Sequence, residues 1–328
     1  MPDTAVPAPR LFDRTSLRQS DDRLALDRGL RAPSASIAPK HFYDRLGSAL
    51  FTAICELPEY YPTRTEAGIL AEAREEIAAR VGRGGTLIDL GAGDCGKAAR
   101  LFGSLDPGQY VAVDISASFV ADALLQLQRL HPRLDLIGLG LDFTAEVWLP
   151  EAVRPERRVF FYPGSSIGNF TPDEAVGFLS RIREHTDPLG GLLIGVDLAK
   201  PRAVVEPAYD DALGVTAAFN LNVLLNVNRR LGTDFRLADW RHVAFLNEGD
   251  SRIEMHLEAR EAVSVRWPGG ERRFGRGERI HTENSYKYTL PGFEAVLRRA
   301  GFVPGARWTD PAGWFAMVHA TPAAGAAR

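Results

Sequence analysis

The apolar positions of this chain change rhythm part-way along, and the change divides it. From Thr86 onward, short apolar runs at 86–90, 109–113, 134–139, 157–162 and 191–197 alternate with stretches near 97–104, 116–130 and 172–186 whose apolar residues fall at helical spacing. Buried runs alternating with amphipathic helices predict a parallel sheet joined by right-handed crossovers. After Asp197 the pattern predicts a helix over Ala208 to Leu231. Apolar and polar residues then alternate over Arg241–Leu246, Arg252–Ala259 and Val263–Trp267, with turn signals at Asn247-Glu248-Gly249-Asp250 and Pro268-Gly269-Gly270. Such alternation belongs to antiparallel strands and predicts an inserted second domain. A last helix (Pro291 to Ala300) and two strands (Phe302 to Trp308, Trp314 to His319) return to complete the first sheet with an antiparallel final strand. Residues 1 to about 30 are charged and proline-containing at the start, and Thr321 to Arg328 is Ala/Gly-rich, so both ends are expected to be loosely held in part.

The predicted strands carry candidate chemistry at their carboxyl ends, where ligands bind in such sheets: Gly91, Asp114, Asp142, Gly164 and Asp197 all fall there. In Thr86-Leu-Ile-Asp-Leu-Gly-Ala-Gly-Asp-Cys-Gly96, the glycines at 91, 93 and 96 allow a tight turn whose backbone can approach a ligand closely before a helix begins near Lys97. Tyr110-Val-Ala-Val-Asp114 ends in a carboxylate placed to accept two hydrogen bonds from a ribose diol. Asp89 separates two kinds of nucleotide. An anion there sits badly beside a pyrophosphate but suits the sulfonium and ammonium of S-adenosylmethionine. Asp142-Phe143 suits an adenine amino group and face. A dinucleotide-dependent oxidoreductase is the rival reading, weakened by Asp89 and by the lack of a His-Arg-Asp hydride set. An ordinary glycine turn with strand-end acids, in a fold used only for binding, is the third.

Composition narrows the partners. The 328 residues allow about two domains, and 45% hydrophobic content suits a chain with a full core. A net charge of -3 provides no basic stripe for nucleic acid, and no apolar run approaches the roughly 18 residues of a membrane span. Small-molecule partners are therefore expected, with no nucleic acid and no membrane. Cys55 and Cys95 are too few for a disulfide framework, and the polar N-terminus lacks a secretory apolar region, so a cytoplasmic location is expected. The seven histidines show no paired ligand spacing, so no metal is expected.

Four further segments accompany the glycine loop: Phe42-Tyr-Asp44 with Leu57-Pro-Glu-Tyr-Tyr-Pro-Thr-Arg64; Pro163-Gly-Ser-Ser-Ile-Gly-Asn169; Ala208-Tyr-Asp-Asp-Ala-Leu-Gly-Val-Thr-Ala-Ala-Phe-Asn220; and Arg252-Ile-Glu-Met-His256 with Thr282-Glu-Asn-Ser-Tyr-Lys-Tyr288. From about Pro39 to the last strand, the chain resembles the histidine-specific N-alpha-methyltransferases of ergothioneine biosynthesis. The resemblance implies an α/β fold, a Rossmann-like class I methyltransferase sheet with an inserted α+β substrate domain. The donor domain is expected over 62–198 and 289–320, the substrate domain over 30–61 and 199–288, with 1–29 as an N-terminal segment. It implies a monomer that uses S-adenosylmethionine three times to convert L-histidine into its trimethyl betaine, hercynine. A relative acting on another amino acid or an aromatic amine is the alternative.

Matched to the family, the donor-binding residues fall on Gly91, Lys97, Asp114, Asp142 and Phe143, and the histidine-binding residues on Tyr60, Asn169, Tyr209, Glu283 and Ser285. Tyr43 falls near the amine and Met255 lines the imidazole pocket. The loop departs from the family at variable positions, Ala92 and Asp94-Cys95-Gly96, and His256 stands where a larger aromatic can occur. Tyr43 and the backbone around Gly164 are expected to orient the amine, with Tyr43 and Asn169 the catalytic pair. Asn169 and Tyr209 offer donors to the substrate carboxylate without adding positive charge beside the sulfonium. Glu283 and Ser285 have period-two spacing and leave one strand face together, able to meet the two ring nitrogens of an imidazole. Plainer readings stand beside these: a turn for Asn169, a core aromatic for Tyr209, the packing of a turn beside Pro62 for Tyr60, a solvated strand for Glu283 and Ser285. The asparagines at 220, 222, 226 and 228 are expected on the polar face of a helix, with Asp210-Asp211 in its first turn.

Overall fold

A computed structural model of the chain describes residues 8–324. The expectation for residues 1–7 and 325–328 lies outside the described residues. Strands follow in order as β1 (Arg10–Asp13), β2 (Ala35–Ser36), β3 (Thr86–Leu90), β4 (Gln109–Asp114), β5 (Asp135–Gly140), β6 (Arg158–Tyr162), β7 (Gly191–Asp197), β8 (Trp240–Asn247), β9 (Arg252–Ala259), β10 (Val263–Trp267), β11 (Gly270–Phe274), β12 (Arg279–Tyr286), β13 (Phe302–Thr309) and β14 (Phe315–Pro322). They divide between two compact units. Among the described residues, one holds Thr65–Leu198 with 8–15 and 288–324; the other holds Ser16–Arg64 and Ala199–Lys287.

The first unit is an eight-stranded sheet in the order β1-β5-β4-β3-β6-β7-β14-β13. All neighbours are parallel except β14, which runs antiparallel to both β7 and β13. β3, β4, β6 and β7 are buried along almost their whole length, which is why they read as unbroken apolar runs. Helices Ala117–Leu130, Pro172–Glu184 and Leu290–Arg299 follow the predicted ranges closely. The single helix expected near 97–104 is instead two one-turn helices, Gly96–Ala99 and Phe102–Leu105. Both bury one face, Ala98, Leu101, Phe102 and Leu105, whose spacing is helical throughout. Strand order reverses at β3, with β4 on one side and β6 on the other. The crevice beyond the carboxyl ends of β3 and β6 is therefore the place where a sheet of this kind holds a ligand.

The described part of the N-terminal stretch adds a strand to the first sheet. β1 adds to the edge of β5 in parallel register, Arg10 opposite Ile137. An open edge offers unpaired backbone groups that a four-residue strand can satisfy. Arg10 pairs with Asp135 at 2.6 Å, and Arg14 pairs with Glu146 at 3.0 Å while lying 4.8 Å over the Trp148 ring. Helix Gln19–Arg31 belongs to the second unit, where Leu26 and Leu30 are buried and Asp27 accepts a hydrogen bond from Trp267 Nε1 at 2.6 Å.

The second unit carries a four-stranded sheet, β2-β12-β9-β8, and a separate ribbon, β10-β11. β9 lies antiparallel between β8 and β12, and the register with β12 slips between His281 and Glu283, after which Glu283 stands opposite Met255. Helix Val215–Leu231 begins seven residues later than the pattern predicts. Gly214 adopts a left-handed φ of 74°, and the Asp211 carboxylate caps the helix by accepting from the Val215 and Thr216 amides at 2.9 and 2.7 Å.

The asparagines of this helix do not form its wet face. Asn220, Asn222 and Asn226 are buried and donate to His242 Nδ1 and the His256 carbonyl, to Asp44 Oδ1, and to the His41 carbonyl respectively. Asn228 donates to the Phe235 carbonyl and receives from Thr233 and the Phe235 amide. Their spacing marks an interior stripe of polar anchors. Periodicity alone cannot separate this from a solvated stripe.

Candidate active site

In the first unit the glycine loop is tied down before any ligand arrives. Gly91 and Ala92 amides donate to the Val113 carbonyl at 2.8 and 3.1 Å, and Gly91, Gly93 and Cys95 take left-handed φ values of 71°, 53° and 62°. Asp114 accepts from the Gly93 amide on one oxygen (3.1 Å) and from the Ser116 amide on the other (2.9 Å). Its carboxylate is thus oriented at the strand end, and burial raises its pKa above the ordinary value. A Cβ at Gly91 would stand 3.8 Å from the Phe143 ring, which packs edge-on against Tyr162 with centroids 5.9 Å apart. Asp142 holds its own turn through Thr144, accepting from the amide at 3.2 Å and the hydroxyl at 2.5 Å. Gly91, Asp114 and the Asp142-Phe143 pair therefore share one rim of the sheet.

Lys97 is joined to that rim by a residue the sequence reading missed. Glu66, on helix Tyr61–Val81, is 1% exposed. Its Oε2 lies 2.7 Å from Lys97 Nζ, and its Oε1 accepts from the Gly164 amide at 2.7 Å. Gly164 and Ser165 are consecutive left-handed residues, with φ of 77° and 59°, and a side chain at 164 would meet Lys97 Nζ at 3.1 Å. One buried carboxylate thus sets both the ammonium and the strained turn after β6. Asn169 closes the one-turn 3-10 helix Ser166–Asn169 that follows.

Asp89 lies on the fully buried strand β3. It is 1% exposed, the Tyr110 hydroxyl donates to its Oδ2 at 2.7 Å, and its Oδ1 has no hydrogen-bond partner among the described residues. Burial pushes its carboxyl up to about 7, against the pull of Tyr110 and Lys97. The strand is buried on both faces, so a polar side chain on it cannot reach water.

The second unit gathers the other predicted residues. Tyr43, Phe51, Tyr60, Tyr209 and Phe219 form a chain of edge-on and tilted rings with centroids 5.7 to 6.3 Å apart. Burial among Tyr209, Cys55, Tyr43 and Glu283 holds the Tyr60 phenol well above its ordinary pKa, and so protonated. Tyr209 is fixed at both ends. Its carbonyl receives His242 Nε2–H at 2.8 Å, while its hydroxyl lies 2.7 Å from Ser285 Oγ. Glu283 and Ser285 are both buried on β12, and Met255 lies opposite Glu283 on β9. Among the described residues no side chain or amide hydrogen-bonds to the Glu283 carboxyl, and burial pushes it up to about 8 although Lys287 pulls it down. His256 leaves β9 to stack on Phe245, with ring centroids 5.4 Å apart.

Asn169 and Tyr209, expected to serve one carboxylate, belong to different units. The Tyr209 site also carries a positive charge: Lys287, 5% exposed, donates to Tyr209 Oη and Ser285 Oγ at 2.8 Å each. Glu283, on β12, feels that charge, which pulls its carboxyl down against the rise caused by burial. Met255, Glu283, Ser285, Tyr209 and Tyr60 do come together.

The chain matches the family described as histidine-specific methyltransferase, SAM-dependent, over residues 22–322. The chain belongs to this family. Among curated relatives, the histidine N-alpha-methyltransferase of Mycolicibacterium smegmatis is 40% identical over 295 residues, covering 88% of this chain and 91% of that protein. The one from Mycobacterium tuberculosis is 39% identical with the same coverage. Ergothioneine biosynthesis protein 1 of Neurospora crassa is 32% identical over 282 residues, and the match spans 81% of this chain but 31% of that longer protein. This histidine-specific methyltransferase is an S-adenosylmethionine-dependent enzyme. The first unit has what such a donor needs: a Cβ-free cradle at Gly91, a carboxylate at Asp114, a flat ring at Phe143 and an ammonium at Lys97. Among the described residues no group of three or more metal-ligating side chains occurs, and no helix is long and apolar enough to cross a membrane.

Proposed function

We propose that this methyltransferase transfers methyl groups from S-adenosylmethionine to the α-nitrogen of L-histidine, three times, forming hercynine as the first step of ergothioneine biosynthesis. The observation that carries the reading is Glu283. A buried carboxyl with no hydrogen bond from the described residues is costly unless a ligand supplies one, and an imidazole N–H is such a ligand. Ser285, two residues along the same face, supplies the second polar contact. Met255 bounds the pocket with a flexible thioether. Tyr60 walls the ring, and Tyr209 takes the substrate carboxylate.

The donor supplies a methyl carbon bound to cationic sulfur. Lys97 receives its carboxylate, Asp114 its ribose hydroxyls, and Asp142, Phe143 and Gly91 its adenine. Tyr43 orients the amine, which must be unprotonated to react. An α-amine titrates near 8, so a modest downward shift yields the reactive form. We read the enzyme as a cytoplasmic monomer acting on small molecules only.

A second reading, methylation of another amino acid or an aromatic amine, is favoured by the row of rings from Tyr43 to Tyr209, which would accept any flat side chain. Mass spectrometry of the purified protein with donor and a panel of amino acids separates the two. Mono-, di- and trimethylated histidine is the expected result; methylation of tryptophan or tyrosine with histidine untouched would overturn it.

A further inference from the structure

Two side chains one turn apart on helix Pro172–Glu184, Phe178 and Arg181, both bear on the turn Asp142-Phe143-Thr144 that follows β5. Phe178 is fully buried and lies against Phe143, with ring centroids 6.0 Å apart. Tyr162 and Phe170 pack on Phe178 in turn at 5.3 and 5.1 Å, the second ring stacked within 10°. Arg181 sends Nη2 to the Thr144 carbonyl at 2.6 Å, 37 residues back along the chain. Its Nη1 reaches the Gly177 carbonyl at 3.3 Å, and its guanidinium carbon stands 5.9 Å from the centre of the Phe178 ring. All of these residues belong to the first unit.

Thr144 passes that hold on to Asp142. Its amide and its hydroxyl both donate to Asp142 Oδ1, at 3.2 and 2.5 Å, and the Ala145 and Glu146 amides donate to the Asp142 carbonyl. One residue is thus gripped from two sides, its carbonyl by a cation and its two donors by an anion. An arginine in the last turn of a helix ordinarily keeps its head in water, where it complements the helix dipole. This one is half-buried, no carboxylate pairs with it among the described residues, and its buried Nε has no hydrogen-bond partner. A guanidinium with an unmet donor and no ion pair adds little to stability. Its bond to Thr144 gives it a different use.

We propose that Arg181 is the positioning residue for the adenine end of the donor: through Thr144 it fixes the direction of the Asp142 carboxylate, so that the site discriminates by the exocyclic amine of the base. The inference rests on the donor assignments made above for Asp142 and Phe143. With Arg181 in place, the carboxylate is held toward the base, and an oxygen standing where the amine belongs meets it acceptor to acceptor. Without Arg181 the turn relaxes and the carboxylate can swing aside. An adenine ligand then loses a bond, whereas a ligand with oxygen at that position is spared a repulsion.

The test is calorimetry with two ligands, S-adenosylhomocysteine and S-inosylhomocysteine, the second carrying an oxygen where adenine has its amine. The parent is expected to favour the adenine ligand by about tenfold or more, the worth of one hydrogen bond to a charged group. In Arg181→Met that preference should fall to about threefold or less. A residue that merely supports the fold would weaken both ligands alike and leave their ratio as it was. Thr144→Val keeps Arg181 and removes only the hydroxyl bond to Asp142, so it should lower the ratio in the same direction, and it decides the matter should Arg181→Met not fold. An unchanged ratio in either folded variant would overturn the inference. A parent that binds neither ligand, or both alike, sinks the donor assignments themselves, whereas a parent with the preference and an Arg181→Met that retains it sinks only the role of Arg181.

Discussion

Glu66 and Lys97 are joined at 2.7 Å, and the same carboxylate takes the Gly164 amide on its other oxygen. Glutamine at 66 cannot reproduce this, because its amide has one accepting oxygen and one donating nitrogen where two acceptors are required. Either Lys97 or the Gly164 amide would then face a donor. Glu66→Gln is expected to weaken binding of the demethylated donor by about 10- to 100-fold, the worth of one lost charge-assisted hydrogen bond. Calorimetry measures it directly, and an affinity within about threefold of the parent's, under 1 kcal/mol, would show that Glu66 does not position the donor residues.

Glu66 also shows what the sequence concealed. The doubly wound sheet was legible because its strands are buried on both faces and its glycine turn needs left-handed residues, so both leave marks in local pattern. Asp114 and Glu283 were legible because strand ends and period-two spacing say where a side chain leaves the backbone. Glu66 leaves no such mark: it is one acid among several on an amphipathic helix, and its two partners lie 31 and 98 residues away. Lys287 stood within a segment already singled out, yet nothing local distinguishes a buried lysine from a surface one. The N-terminal strand of four residues was too short for any periodicity, and its stability comes from the open edge of β5.

Asp89 carries a stability signature with a definite sign. Its carboxyl lies at about 7 in the folded protein, against an ordinary 3.8. Folding therefore favours the neutral form: the contribution is fully present below the unfolded value near 4 and is lost as pH rises through about 7. Asparagine at this position is a neutral replacement of the same shape whose oxygen can still receive from Tyr110. Thermal unfolding of the donor-free protein should show Asp89→Asn gaining more over the parent at pH 8 than at pH 5. An equal difference at the two pH values would mean that Asp89 is not held neutral by burial.

Asn226 tests the interior asparagine stripe. Its amide donates to the buried-side His41 carbonyl at 2.6 Å, and its oxygen receives from Arg230 Nε at 3.1 Å. Alanine there removes a buried hydrogen bond and leaves a small cavity, which together cost about 1–3 kcal/mol. A residue on a solvated face would change stability by about 0.5 kcal/mol or less. Denaturant unfolding of Asn226→Ala distinguishes these, and a value near the smaller figure would return the stripe to the surface.

Glu283 makes the sharpest demand on pH. Burial raises its carboxyl to about 8, with Lys287 pulling the other way. If it grips the imidazole N–H as an anion, acceptor binding must strengthen between pH 7 and 9. Histidine itself is a poor probe, because its α-amine titrates near the same range. Hercynine has a quaternary nitrogen, and its imidazole, near 6.5, is already neutral through most of the window. Titrating hercynine into enzyme loaded with demethylated donor therefore isolates the carboxyl. The expected result is an affinity that climbs through about pH 8 in the parent and is flat in Glu283→Gln, which should bind about 10- to 100-fold more weakly at pH 9, the loss of one charge-assisted contact. Flat affinity in the parent would show that the carboxyl meets the ring in its neutral form or not at all, and the donor and acceptor assignments on β12 would have to be exchanged.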